Sequence, residues 1–162
     1  NWMNSYSGYL ADISKWWSEN ISKDWLDIRS QTYGILQRED TLKEIVKLLG
    51  PEALPDEEKL ILEVARMIKI GILQQNSFDD VDTYCSPEKQ FKLMKLQVDF
   101  YNQGQQALKD GASLADIRSM DVISLLLKAR MDVKDDEMNK LDKLSTDMVE
   151  QFKTVTGIKV QN

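Results

Sequence analysis

The chain has 162 residues, and its 27 acidic side chains outnumber its 21 basic ones, which gives a net charge of −6. This balance argues against a nucleic-acid partner, because binding to phosphate backbones needs clustered Lys and Arg. Histidine is absent and Cys85 is the single cysteine, which excludes Ser-His-Asp or Cys-His catalysis, HExxH zinc sites and a disulfide framework. With 7 Gly, 3 Pro and no apolar run near the roughly 18 residues that span a bilayer, we predict an all-α protein with no sheet and no membrane insertion.

The first half of the chain carries three helical patterns. An aromatic stripe near the N-terminus favours a buried helix face over a ligand platform. Its members are Tyr6, Tyr9, Leu10, Ile13, Trp16 and Trp17. A second pattern predicts a helix with Ser22 as N-cap and Gly50 after its end, and we favour one long helix over two separated near Glu39. The residues on its apolar face are Trp25, Ile28, Thr32, Leu36, Leu42, Ile45, Val46 and Leu49. The prolines of Pro51–Pro55 predict a turn, and the third helix then begins at the second proline or at Asp56.

The second half begins with an irregular stretch, Gln74–Cys85, which we interpret as a connecting loop because it has no period and many turn formers. Ser86–Pro87, as N-cap and first helical residue, predict a helix that ends before Gly111. Two more helices are expected, one over Ser113–Arg130 and one over Asp135–Gly157. These patterns predict a bundle or superhelical stack of about five to seven helices.

Acidic clusters offer one candidate for metal binding. The carboxylates of Asp79–Asp82 are oxygen ligands of the kind that Ca²⁺ takes, but the Gly and Glu positions of an EF-hand are not met. We therefore favour a turn-forming loop and predict no metal site. The clusters that begin at Asp56 and Asp135 are interpreted as helix N-terminal acids. Cys85 has no basic neighbour and is interpreted as structural.

Three motifs carry a family resemblance. They read LGPEALPDEEKL over residues 49–60, VAR over residues 64–66 and QQNSFDDVDTYCS over residues 74–86. These motifs resemble the C-terminal helical domain of the catalytic A (alpha) subunit of V-type and archaeal A-type ATP synthases, where the third motif reads QQNAFDxVDTYC. The opening residues NWMNSY are similar to the place where that family leaves its nucleotide-binding domain. The resemblance is close as far as about Tyr101 and is reduced to a helical pattern after Gly111.

The resemblance implies a C-terminal helical domain of a larger subunit over residues 1–162. Residues 1–110 match the family best, and residues 111–162 form terminal helices. The P-loop, the catalytic glutamate and the Mg²⁺ site would lie on a nucleotide-binding domain that is absent here, and the chain has no GxxxxGK[ST] or GxGxxG motif. We therefore expect no catalysis and no cofactor in this chain alone, whereas the parent subunit would hydrolyse or synthesise ATP with Mg²⁺.

The implied partners are the alternating catalytic and non-catalytic subunits of a hexameric head, a central rotor shaft and an adenine nucleotide. The parent machine would couple ATP hydrolysis or synthesis to proton translocation, as a peripheral complex on the cytoplasmic face of the cell membrane. An alternative from another class is a freestanding α-helical adaptor that binds partner proteins through its aromatic N-terminal helix. A GxxxxGK[ST] domain encoded upstream would decide against the adaptor.

Within the resemblance, the turn Pro51–Lys59 matches the family's acidic loop, a lever that contacts the rotor. The predicted rotor-contact residues are Glu52, Leu54, Asp56, Glu57 and Glu58. Pro51 and Pro55 depart from the commonest acidic version of this loop, so we expect a stiffer turn. Helix capping explains the same acids, and the two roles are compatible.

The third motif implies a nucleotide contact. Phe78 matches the aromatic residue of the family that lies against the adenine ring, and Gln75 and Asn76 precede it in a position to approach the base. Without the upstream domain, we expect Phe78 to be a partly exposed loop aromatic. Burial in the core is the competing interpretation.

Overall fold

A computed structural model of the chain describes residues 15–73 and 85–161, with side chains described as far as residue 157. The described part is almost wholly helical and contains no strand, which confirms the predicted all-α fold. Residues 15–20 are helical, and six further α-helices follow. They are α1 Trp25–Leu49, α2 Asp56–Ile68, α3 Pro87–Lys109, α4 Leu114–Arg118, α5 Val122–Asp132 and α6 Asn139–Gln161. None of the described helices is long and apolar enough to cross a membrane.

Helix α3 is the central element of the core and contacts α1, α2, α5 and α6. Its Phe100 is fully buried and packs on Phe152 of α6, with 5.2 Å between the ring centroids. Gly104 on the same helix lets α2 approach closely, since a Cβ at this position would lie 2.8 Å from Cδ2 of Leu60. The hairpin formed by α1 and α2 therefore packs directly on α3.

Local capping residues fix several helix ends, as the sequence predicts. Ser86 caps α3 by accepting the Lys89 N–H at 3.2 Å, and Ser113 caps α4 by accepting the Asp116 N–H at 3.1 Å. Gly50 follows α1 with a φ of 85°, a backbone conformation that favours glycine. The predictions for Ser86 and Gly50 are confirmed, and the helix expected from Ser113 begins one residue later, at Leu114.

The start of α1 differs from the prediction. Its N-cap is Asp24 and not Ser22, because the Ser22 hydroxyl accepts the Asp24 N–H at 3.1 Å and so closes the preceding turn. Trp25, the first residue of α1, is fully buried and stacks on Trp17 with 4.3 Å between ring centroids. Trp17 thus belongs to the core, as the buried interpretation of the aromatic stripe requires, but Trp16 is 48% exposed, so for Trp16 that interpretation is wrong. The stripe members at positions 6–13 lie outside the described residues.

The single helix predicted over Ser113–Arg130 is wrong, since α4 and α5 are separate helices. The Ser119 hydroxyl donates to the Asp116 carbonyl at 2.7 Å, a local bond that competes with continuation of the helix. The Val122 N–H at the start of α5 donates to Gln151 Oε1 of α6 at 2.9 Å. A partner from a distant helix therefore stabilises the new start.

Helix α6 continues through Gly157, so the predicted end at this residue is wrong. A glycine ends a helix where the backbone turns left-handed, and the described glycines with positive φ are Gly50 and Gly111. The predicted start after Asp135 is also shifted. A single 3₁₀ turn, Asp135–Glu137, comes first, and α6 begins at Asn139.

Candidate functional site

The turn between α1 and α2 has a fixed backbone. Gly50 donates its N–H to the Val46 carbonyl at 2.8 Å and ends α1. Pro51–Ala53 form one 3₁₀ turn, and Pro55 then occupies the N-cap position of α2. The Pro55 carbonyl accepts two N–H groups from the first turn of α2, both at 3.0 Å. Two prolines and these hydrogen bonds leave the turn few alternative conformations.

Leu54 anchors this turn to the core. Its side chain is 5% exposed and belongs to the hydrophobic core, whereas the flanking Ala53 and Pro55 are exposed. The Leu54 N–H donates to the Pro51 carbonyl at 3.2 Å. Because its side chain points into the chain's own core, Leu54 is not part of the exposed surface. We retain the four acids of the turn as candidates for the rotor contact.

Two of the four acids are paired with bases of the same hairpin. Glu52 is 91% exposed, and its Oε2 lies 3.3 Å from Nζ of Lys59. Glu58 Oε1 lies 3.3 Å from Nη2 of Arg38 on α1. Exposed ion pairs of this kind contribute little stability, so these charges are largely available to an external partner.

The other two acids, Asp56 and Glu57, are exposed. Within the described residues neither forms an ion pair. The Glu57 carbonyl accepts a hydrogen bond from Nε2 of Gln105 on α3 at 3.0 Å. This bond fixes the backbone that carries the two acids. Two unpaired carboxylates are therefore presented from a backbone held by both the core and α3.

Beside the acids lies an apolar pair that sequence reasoning did not identify as functional. Leu48 is 83% exposed and Leu49 is 72% exposed, so the assignment of Leu49 to the apolar face of the predicted helix is wrong. Burial decreases along α1 from the fully buried Leu42 to the partly buried Val46 and then to this pair, because the last turn extends beyond the core. Adjacent residues on a helix point about 100° apart. The sequence alone therefore indicated that Leu48 and Leu49 could not both lie on one narrow buried face.

We call the exposed residues Leu48, Leu49, Glu52, Asp56 and Glu57 the hairpin tip. Apolar side chains bordered by carboxylates are suited to a partner that offers both apolar and basic groups. The hairpin tip is the first of two candidate sites.

The second candidate site is the predicted nucleotide segment. Gln75, Asn76 and Phe78 lie outside the described residues, as do the acids of Asp79–Asp82. The described chain leads towards them through a π-helical turn, Lys69–Leu73, which extends α2. Such turns are rare and often occur at functional sites.

The π turn is linked to α1 by a buried ion pair that sequence reasoning missed. Glu39 Oε1 lies 2.5 Å from Nζ of Lys69 and 3.6 Å from Nζ of Lys43, and the Glu39 side chain is only 7% exposed. Burial by itself lowers the pKa of Lys69, but the hydrogen bond and the charge of Glu39 outweigh it and raise the pKa above its ordinary value of 10.5. The sequence could have indicated that Glu39 is buried, because it lies three residues from both Leu36 and Leu42 on the apolar face of the helix.

The π turn is also linked to α5. Arg130 Nη1 donates to the Ile72 carbonyl at 2.6 Å, and Gln97 Nε2 of α3 reaches the Met67 carbonyl at 3.4 Å. At Gly71 the backbones are so close that a Cβ would lie 3.2 Å from the carbonyl oxygen of Leu126. Side chains that bond to backbone carbonyls leave no periodic pattern, so nothing in the sequence indicated these contacts.

On the far side of the nucleotide segment, Cys85 is 7% exposed and belongs to the core, in agreement with a structural role. Its backbone carbonyl accepts a hydrogen bond from Nε2 of Gln90 at 3.4 Å. In the part of the chain that the structure describes, no group of three or more potential metal ligands is found.

Comparisons with known proteins identify the family. The family model described as the C-terminal domain of V and A type ATP synthase matches residues 14–118. The A subunit of the A-type ATP synthase of Hyperthermus butylicus is 44% identical over 161 residues, which cover 98% of this chain and 27% of that protein. The corresponding protein of Methanopyrus kandleri is 44% identical over 152 residues, covering 94% of this chain and 26% of that protein.

A relative from a V-type enzyme is similar as well. The V-type ATP synthase alpha chain of Halothermothrix orenii is 39% identical over 152 residues, which cover 94% of this chain and 26% of that protein. The chain thus spans about a quarter of the length of the curated relatives that it matches. Since the family model covers most of the chain, the chain belongs to the family of C-terminal domains of V and A type ATP synthases.

Proposed function

We propose that this domain transmits force in a rotary ATP synthase by contacting the central rotor shaft through the hairpin tip. The observation that carries the proposal is that Asp56 and Glu57 are exposed and have no ion-pair partner among the described residues, on a turn that Leu54 anchors in the core. A lever needs a stiff connection between its contact point and the body that moves it. The two prolines, the buried leucine and the Gln105 bond to α3 provide that stiffness.

The nucleotide role is the second part of the proposal. Phe78 lies against the adenine ring in the parent subunit, and Gln75 and Asn76 approach the base. The phosphates and Mg²⁺ are bound by P-loop groups of a nucleotide-binding domain, because the sequence of this chain has no P-loop motif. The chain alone therefore binds ATP or ADP weakly, and a micromolar nucleotide site found by calorimetric titration would contradict this part.

The parent complex is a peripheral assembly on the cytoplasmic face of the cell membrane. In its hexameric head, catalytic and non-catalytic subunits take alternate places, and the complex couples ATP turnover to proton translocation. Family membership supports this function over a freestanding adaptor. The burial of Trp17 against Trp25 also removes one of the aromatics that an adaptor would offer to a partner.

The lever is tested in the assembled complex by comparing two changes in the hairpin tip. Deletion of Glu52 and Ala53 changes the shape of the turn, whereas the triple replacement of Glu52, Asp56 and Glu57 by Gln, Asn and Gln changes only its charge. Glu150→Gln, on the exposed face of α6, is the control for loss of one surface charge.

We expect the deletion to lower the number of protons pumped per ATP hydrolysed more than the triple replacement does. A lever acts through shape, and surface charges across a wet contact mainly tune association. The control should pump normally. Normal torque and normal pumping after the deletion would refute the lever.

A further inference from the structure

The hairpin formed by α1 and α2 is hydrogen-bonded to α3 at two levels. Asn102 Nδ2 donates to Gln31 Oε1 of α1, and Gln105 Nε2 donates to the Glu57 carbonyl of α2, both at 3.0 Å. Asn102 and Gln105 are three residues apart and therefore lie on the same face of α3. Of these two bonds, the Gln105 bond is the one at the hairpin tip, since Gln31 lies near the opposite end of α1.

The Gln105 bond acts on the backbone of α2 and not on a side chain. A carbonyl oxygen has two lone pairs, so the Glu57 carbonyl can accept Gln105 in addition to its partner within the helix. The Gln105 side chain is itself partly buried. The bond therefore fixes the first turn of α2, from which the carboxylates of Asp56 and Glu57 extend.

The apolar contacts on either side restrain this turn in a different way. Leu54, before the two acids, and Leu60, after them, are both buried in the core. A Cβ at Gly104, next to Gln105, would lie 2.8 Å from Cδ2 of Leu60, so α2 and α3 are in close contact here. Apolar contacts are non-directional and resist separation of two helices, whereas a hydrogen bond has a preferred direction and length and also resists sliding. The Gln105 bond therefore adds a restraint that the two leucines do not supply.

We propose that Gln105 is a positioning residue that makes α3 the support of the lever. The inference rests on the proposed contact between the hairpin tip and the rotor. Force on Asp56 and Glu57 along the direction of α2 is resisted by α3 through the Gln105 bond. Helix α3 passes this force to the rest of the core, because it contacts α1, α2, α5 and α6. Gln105 thus contributes to coupling without touching the rotor.

The first test measures hydrogen exchange in the chain itself. Gln105→Leu keeps the approximate size of the side chain and removes the donor, whereas Gln105→Lys keeps a donor. Gln106→Leu is the matched control, because Gln106 is the next residue on α3, is exposed and bonds to Asp110 Oδ1 at 3.1 Å. We expect amides in the first two turns of α2 to exchange about two- to tenfold faster in Gln105→Leu, the range for loss of one hydrogen bond, and at the parent rate in Gln106→Leu. Unchanged exchange in Gln105→Leu would overturn the inference.

The second test separates positioning from a purely structural role. In the complete ATPase, the number of protons pumped per ATP hydrolysed is measured against an increasing opposing proton gradient. A less rigid support should yield when the gradient resists rotation, so Gln105→Leu should pump normally without a gradient and lose coupling as the gradient rises. Gln105→Lys should restore part of the lost coupling, and Gln106→Leu should pump like the parent at every gradient.

The outcomes distinguish failure of this inference from failure of the lever. If deletion of Glu52 and Ala53 impairs pumping but Gln105→Leu pumps normally at every gradient, the rotor contact is retained and the role of Gln105 is refuted. If the deletion has no effect, the lever and this inference both fail. A loss of coupling in Gln105→Leu that is the same with and without a gradient would also refute positioning. If Gln105→Leu does not assemble, Gln105→Glu, which has the same length and no donor, is measured in the same way, and normal pumping refutes the inference.

Discussion

The Glu39 carboxylate of α1 and the Lys69 ammonium at the start of the π turn form an ion pair, with 2.5 Å between Oε1 and Nζ. The carboxylate is almost completely buried, and the half-exposed Lys43 is a second, weaker partner at 3.6 Å. This pair joins the hairpin that carries the hairpin tip to the turn that leads to residue 74. The pair therefore links the middle of α1 to the start of the π turn through a short, mostly buried polar contact.

Glu39→Gln should lower the free energy of unfolding by about 1–3 kcal/mol, because it removes the charge of the almost completely buried carboxylate that pairs with Lys69. Chemical denaturation of the chain measures the change. Glu44→Gln is the matched control, since Glu44 pairs with Lys47 at 3.3 Å but both side chains are exposed. The control should change stability by less than about 0.5 kcal/mol. If the two replacements changed the free energy of unfolding equally, burial of the Glu39 pair would not be the cause of its contribution.

The same pair predicts a response to alkaline pH. The pKa of Lys69 is raised above 10.5 in the folded chain, so its contribution to stability is complete below pH 10.5 and is lost as the pH rises through the folded pKa. Stability should therefore fall above pH 10.5, and Glu39→Gln should reduce the slope of this fall. Denaturation midpoints measured at several alkaline pH values provide the check. An unchanged slope in the variant would mean that other groups cause the loss.

A third prediction concerns the close approach at the π turn. Gly71→Ala should destabilise the chain by about 1–3 kcal/mol, because the new methyl group meets backbone atoms of α5 that cannot rotate away. Gly34→Ala, on the exposed face of α1 with no atom near the added Cβ, should stabilise by about 0.5–1 kcal/mol. Thermal unfolding compares the two. A stabilising Gly71→Ala would refute the close packing.

At acidic pH the stability of the 3₁₀ turn before α6 should decrease. A hydrogen bond from Lys140 at 2.6 Å, and then one from the Lys134 N–H at 3.2 Å, lower the pKa of Glu137 below its ordinary value of 4.5. This carboxylate adds stability above pH 4.5, and the gain is lost as the pH falls through its folded pKa. Glu137→Gln should therefore differ from the parent chain above pH 4.5 and converge with it at lower pH. Parallel acid-unfolding curves would contradict this.

We expect the exposed leucines of the hairpin tip to matter for the rotor contact and not for the stability of the fold. Replacing Leu48 and Leu49 by Ser should change the free energy of unfolding by less than about 0.5 kcal/mol each, because both side chains are exposed. Leu42→Ser, on the fully buried part of the same helix, is the contrast and should be strongly destabilising. In the assembled motor, the double Ser variant should weaken rotor contact. A large loss of stability in it would place these leucines in the core.

Sequence reasoning succeeded where the cause of a structure is local. Ser86 and Gly50 act on backbone groups within a few residues of themselves, and both roles were identified. It failed at Val122, because the start of α5 depends on Gln151 from another helix. It also failed at Leu49, because exposure there depends on how far the core extends along α1.

The candidate sites divide in the same way. The acids of the turn were visible from the motif around Pro51–Lys59, and the structure adds which of them are paired. Arg130 was not visible, since its partner is the backbone carbonyl of Ile72, which every residue type offers equally. Contacts from a side chain to a distant backbone become apparent only once the helices are placed.

The stack of Trp17 on Trp25 gives the chain an internal optical probe. The indole rings lie 4.3 Å apart at 22°, close enough for their electronic transitions to couple. All four tryptophans of the chain lie within its first 25 residues, and α3 has none. Near-ultraviolet circular dichroism and tryptophan fluorescence therefore report on the junction between the N-terminal residues and α1. Detachment of that junction can be observed separately from melting of the rest of the fold, with the native residues as the chromophores.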